Sequence, residues 1–167
     1  MKEKYEKLQE VKRQHILGRY DLADVDEHKP WGAYYRIADS CVEAFVDEFF
    51  SGESVEDLGR GGSLSPKLLV FEPGMKLSLQ YHERRAEIWN VIEGELSAAI
   101  SDTDTEGEWK IYSTGERLSY DALVRHRAGA PADGDWVVVA EIWQHTDPDN
   151  PTDEDDIVRL ADDFGRS

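Results

Sequence analysis

GMKLSLQYHERRAEIWNVIEG, residues 74–94, reads as a β-hairpin built to hold a metal. Lys76, Ser78, Gln80 and His82 alternate with Leu77, Leu79 and Tyr81, so in a strand of period two the four polar side chains share one face. That pattern is wrong for an aliphatic core and right for a barrel whose interior holds polar ligands. Glu83-Arg84-Arg85 forms a charged turn, and Glu87 is the first acid of the returning strand, where a carboxylate can meet an imidazole across the ladder. Gln80, His82 and Glu87 are expected to converge.

With 167 residues the chain is one domain on length, large enough to bury a core without staples. Its single cysteine, Cys41, excludes a disulfide framework and suits a reducing compartment. The first residues, MKEKYEKLQEVKRQ, are charged throughout, and nowhere does an apolar run reach the length of a bilayer span, so no membrane partner and a cytoplasmic location are expected. A formal net charge of -17 repels nucleic acid, whose phosphate backbone needs a clustered basic surface. An anionic small molecule would need a local basic pocket, for which Lys76, Arg84, Arg85, Arg125 and Arg127 are the candidates near the hairpin.

Tyr5, Leu8, Val11 and Ile16-Leu17 recur at helical spacing and Gly18 is a stop, predicting an N-terminal helix over 1–18. Lys29-Pro30-Trp31-Gly32 is a turn that delivers Trp31 to the core before a strand over 33–37. Ser40 and Glu43 form a capping box ahead of the stripe Val42, Phe45, Val46, Phe49 and Phe50, predicting an amphipathic helix followed by a Gly-rich loop. From Pro66 onward short strands alternate with turns such as Asp102–Gly107, the pattern of a double-sheet jelly roll.

The spacing from Gly74 to Gln80, His82, Glu87 and Gly94 resembles the first cupin motif, with Gln where the first His often stands. LSLQYHERRAEIW, Lys29-Pro30-Trp31-Gly32 and EDDIVRLADDFGR (154–166) are similar to blocks of the cupin domain of type II phosphomannose isomerases, in the same order. The resemblance implies an all-β cupin jelly-roll barrel with an N-terminal helix, in which residues 38–65 are a helical and Gly-rich insertion serving as lid, plug or dimer contact. It places the barrel core at 66–144 and an acidic closing segment at 145–167. A second motif, running from Gly115, would supply His126 as the last metal ligand, with Asp121, Leu123 and Ala130 standing where the family has Pro, Gly and Asn.

The ligand set is then Gln80, His82, Glu87 and His126 around one divalent ion, Zn, Mn, Fe, Co or Ni. Lys76 is the first candidate for phosphate or enediolate stabilisation and for proton transfer, and Arg85 is the second. Arg84 and Trp31 join them as substrate contacts. The implied reaction is the metal-dependent interconversion of mannose 6-phosphate and fructose 6-phosphate on a small-molecule sugar substrate. A non-catalytic metal- and sugar-binding module and a cupin dioxygenase remain the alternatives, and a homodimer is an open assembly.

Overall fold

The structure is a computed structural model that describes residues 3–166. Among them no helix is long and apolar enough to cross a membrane. Eleven strands are named in chain order: β1 (Leu22–Lys29), β2 (Gly32–Ile37), β3 (Leu64–Phe71), β4 (Leu79–Tyr81), β5 (Arg85–Glu93), β6 (Leu96–Ser101), β7 (Trp109–Tyr112), β8 (Arg117–Tyr120), β9 (Arg125–Gly129), β10 (Val137–His145) and β11 (Val158–Ala161). They form a six-stranded sheet in the order β1-β2-β3-β10-β5-β8 and a five-stranded sheet in the order β11-β4-β9-β6-β7. The pairings between these strands are antiparallel. The barrel therefore extends beyond the span expected for its core. β1 and β2 enter the large sheet before the insertion, and β11 adds an edge to the small one.

Three helices accompany the sheets: α1 (Lys4–Val11, continued by a π-helical turn to Ile16), α2 (Val42–Phe49) and α3 (Val55–Gly59). The expected capping box at Ser40 does not form, because Ser40 lies inside a 3-10 turn that leads directly into α2. It is Ser54 that caps, accepting from the Asp57 N–H at the start of α3.

The apolar run of β3 and β10 is explained by burial on both faces. Leu69, Phe71, Val137 and Val139 point between the sheets with Trp31, Trp89 and Leu96. Leu68, Val70, Val138, Ala140 and Ile142 point outward, where α1 and α2 cover them with Leu8, Val11, Ile16, Phe45, Val46, Phe49 and Phe50. The stripe of α2 is thus buried on the outer face of the large sheet. No residue of 38–65 lines the central cavity, so this segment is neither lid nor plug. Gly32 is needed for a close approach, since a Cβ there would lie 1.8 Å from the Val70 carbonyl oxygen.

Candidate metal centre and cavity

His82 follows β4, Glu87 lies on β5 and His126 on β9, so both sheets contribute to one buried cluster whose ligand atoms lie within 4.8 Å of one another. His82 Nε2 is 3.3 Å from Glu87 Oε1, and the two imidazole rings are 5.0 Å apart. His82 Nδ1 lies 2.7 Å from the Asp156 carbonyl oxygen and His126 Nδ1 lies 3.1 Å from that of Val124. A carbonyl only accepts, so each Nδ1 carries the proton and each Nε2 lone pair turns inward. Burial lowers both histidines, His82 to about 3, which keeps the rings neutral and competent as ligands.

Gln80 joins them, with Nε2 3.5 Å from His82 Nε2 and 3.4 Å from His126 Nε2. Its Oε1 accepts from Ser78 Oγ at 2.7 Å, so the amide nitrogen, and not the expected oxygen, faces the imidazoles. A hydroxyl accepts as well as donates, and Ser78 can hold the amide in either orientation.

Glu87 is enclosed. Its Oε1 accepts from Arg85 Nε at 2.7 Å and its Oε2 from Trp89 Nε1 at 3.0 Å and from the Tyr120 hydroxyl. Burial alone would raise this carboxyl, but the adjacent Arg85 guanidinium and the Tyr120 hydrogen bond hold it well below the ordinary range. The Arg85 guanidinium lies 3.9 Å from the Trp143 ring centroid and brings Nη2 to 3.2 Å from His82 Nε2. Arg85 thus lies at the cluster, as expected, and supplies the positive charge that balances Glu87.

The donor set of two neutral imidazoles, a carboxylate and an amide fits a divalent transition metal. The carbonyls behind each Nδ1 are the orienting partners such ligands require.

Beside the cluster a cavity of ≈ 410 Å³ is lined by Trp31, Leu77, Gln80, Arg85, Glu87 and Glu141 and rimmed by Lys29, Lys67, Arg159 and Arg166. Trp31 packs on Phe71 with centroids 5.2 Å apart. Lys76 is absent from this wall. It borders a separate surface cleft with Trp109, where its Nζ is 3.6 Å from Asp163 Oδ2. The reason is a slip in alternation. Lys76 bridges Gly129, Leu77 turns inward, and the chain is not in regular ladder pairing until Leu79, so Leu77 and Gln80, three residues apart, share the inner face. The expected inward Lys76 is therefore corrected.

Arg84 also turns away, its Nη2 lying 3.6 Å from Asp153 Oδ1. Arg125 pairs with Asp104, and Arg127 with Glu106 and Asp163, so neither borders the cavity.

Glu141 on β10 was missed by motif reading. It is 4% exposed, and its Oε1 accepts from Trp143 Nε1 at 2.7 Å. Burial first, then the Glu87 charge, push it up to about 8, against the opposing pull of Lys67 and Arg85. The available signal was an acid within VVVAEIW (137–143), opposite Lys67 in an equally apolar partner strand.

No protein-family model matches the chain. Two similar curated proteins are the xanthan biosynthesis protein XanB of Xanthomonas campestris pv. campestris, 28% identical over 141 residues, and the alginate biosynthesis protein AlgA of Pseudomonas aeruginosa, 26% identical over 141 residues. Each match covers 84% of this chain and 23% of the relative, so the chain spans about a quarter of the length of the curated relatives it matches. Among solved structures, oxalate decarboxylase of Lactobacillus farciminis superposes with a TM-score of 0.56 at 12% identity, over 84% of this chain and 34% of that one. The L-ribose isomerase of Cellulomonas parahominis, solved with L-psicose, gives 0.50 at 16% identity, over 59% and 58%. At such identities the likeness is one of fold, and the fold is an all-β cupin jelly-roll barrel carrying an N-terminal and an inserted helix.

Proposed function

We propose that the protein is a metal-dependent aldose–ketose isomerase acting on a sugar phosphate, of the mannose 6-phosphate and fructose 6-phosphate type. The observation that carries this reading is Glu141, a buried carboxyl poised near neutrality on the wall of a cavity that Glu87 and Gln80 of the metal cluster also line. A divalent ion held by these three residues, with Gln80 through its amide oxygen, would supply Lewis-acid polarisation of neighbouring sugar oxygens. A base is still needed for the carbon-bound proton. Glu141 takes the proton from one sugar carbon and returns it to the next, which a pKa near the working pH favours. Arg85, beside Glu87, donates to developing negative charge on the sugar oxygens.

The size of the cavity suits a small sugar. Its charge suits a phosphate. Lys29, Lys67, Arg85, Arg159 and Arg166 stand against three ionised acids, Glu87, Glu154 and Asp155, when Glu141 is neutral, leaving two net positive charges inside a chain of net charge -17. Trp31 forms part of the apolar wall for the sugar ring. The similarity to proteins named for xanthan and alginate biosynthesis supports a carbohydrate substrate.

The test is metal analysis of the purified protein, followed by incubation of the metal-loaded enzyme with hexoses, pentoses and their phosphates in D₂O. Interconversion with deuterium at the exchanging carbon is expected. Glu141→Gln should reduce it by about a hundredfold to ten-thousandfold, while Lys76→Met keeps wild-type turnover. Metal binding without any isomerisation or deuterium uptake would leave a binding module in place of an enzyme.

A further inference from the structure

The acidic run that precedes β11 turns one of its carboxylates inward. Asp156 is 5% exposed, as is Thr152. The Asp156 carboxylate accepts from the backbone N–H of Glu83 at 2.9 Å and of Arg84 at 3.0 Å, and from Thr152 Oγ1 at 2.6 Å. Its own main-chain carbonyl is the group that receives the His82 Nδ1 proton. The Thr152 hydroxyl has one proton, which goes to Asp156, so it accepts from Arg85 Nη1 at 3.2 Å; Arg85 Nη1 also donates to the Asp153 carbonyl at 3.0 Å. Donors thus converge on Asp156 from two sides, Arg85 through Thr152 on one and the turn next to His82 on the other.

We propose that Asp156 is a positioning residue for the metal centre, its carboxylate clamping the β4–β5 turn so that its carbonyl fixes the Nδ1–H tautomer of His82. The inference rests on the metal-centre reading above and deepens it. An unconstrained imidazole in water favours the proton on Nε2, which would close the lone pair His82 must present to an ion shared with Glu87 and His126. Holding the proton on Nδ1 requires an acceptor that cannot drift, and the carbonyl of a residue tied to residues 83 and 84 by two main-chain hydrogen bonds meets that need. The neighbouring acids Asp153 and Asp155 accept from main-chain amides of their own loop or lie at the cavity rim, and neither is bonded to the backbone of the β4–β5 turn.

The experiment uses the full chain with Asp156→Ala and Asp156→Asn, and Val46→Ala as a control that loosens the helix-covered face far from the site. Co(II) affinity is measured by chelator competition, the ligand field by visible absorption, and the His82 tautomer by ¹⁵N shifts in the metal-free protein. Asp156→Ala should weaken Co(II) binding about ten- to a hundredfold and move His82 toward the Nε2–H tautomer. Asp156→Asn, which keeps one acceptor, should fall between, and it serves alone where the Ala variant fails to fold. Val46→Ala should lower Tm and leave affinity, spectrum and tautomer at wild-type values. Wild-type Co(II) affinity and an unmoved tautomer in the Asp156 variants would overturn the proposal. If the wild type itself binds no Co(II), the metal reading fails separately. The tautomer comparison then still decides whether Asp156 holds His82.

Discussion

Replacing Glu141 by Gln should change how the stability of the metal-free protein depends on pH. In the folded chain the Glu141 carboxyl is pushed from 4.5 to about 8, first by burial and then by Glu87, whereas in the unfolded chain it titrates normally. Between these values the folded state holds one proton that the unfolded state has lost. Stability therefore falls as pH rises through that window, by up to about 1.4 kcal/mol per pH unit. Gln is neutral at every pH and nearly isosteric, and its amide oxygen can still accept from Trp143 Nε1. Urea unfolding of both proteins from pH 5 to pH 9, read as the difference between them, cancels the histidines common to both. The variant should gain steadily on the wild type, by a few kcal/mol over the range if the slope is half its maximum. A difference that stays flat would mean that Glu141 is ionised within the fold. That result would remove the raised pKa that singles out Glu141 as the group that both takes and returns the proton.

His82→Ala and His126→Ala should each abolish stoichiometric metal while the far-ultraviolet spectrum of the barrel persists; full metal content in both would refute the assignment. Arg85→Met leaves Glu87 buried without its cation, and denaturant midpoints of the metal-free protein should reveal a loss of about 3–5 kcal/mol that added Co(II) largely restores. Leu123 stands at φ 71 where the resembled family has Gly, a left-handed conformation that costs a side chain about 1–2 kcal/mol. Leu123→Gly, at a position 52% exposed, should therefore leave Tm unchanged or raise it, and a clear drop would show that its side chain contributes to packing.

Most of the candidate cluster was legible because it rests on short-range alternation and a few spacings. Gln80, His82 and Glu87 needed only two short strands joined by a charged turn, and those strands are present. The expected hairpin ladder is not: β4 pairs within the small sheet and β5 within the large one, so the turn crosses between sheets. Alternation failed at Lys76 because it presumes an unbroken ladder, and the contact of Lys76 with Gly129 is an isolated bridge three residues before regular pairing begins at Leu79. Glu141 could be seen as an acid in an apolar strand. Its neutrality could not, because that depends first on burial within the assembled barrel and then on Glu87 approaching from the neighbouring strand. The stripe of α2 announced a buried face without stating what buries it. The answer, the outward residues of β3 and β10, is set by a sheet order that no local pattern encodes. For the same reason two of the cations that border the cavity, Arg159 and Arg166, come from the closing segment, far along the chain from residues 74–94.

The division of the cluster between two sheets has a consequence for the order of events in folding. Gln80 and His126 face each other across a gap of 46 residues in the chain, on the small sheet, while Glu87 belongs to the large one. The small sheet and the residue that follows β4 present Gln80, His82 and His126, but the carboxylate comes only from the large sheet. The full set exists only after the sheets have docked, late in a topology dominated by non-local pairing. An ion that recognises only the completed set cannot guide the chain toward it. Added Co(II) should leave the refolding rate of the metal-free protein unchanged and should slow its unfolding, so that occupancy acts as a latch on the finished barrel and not as a nucleus for building it.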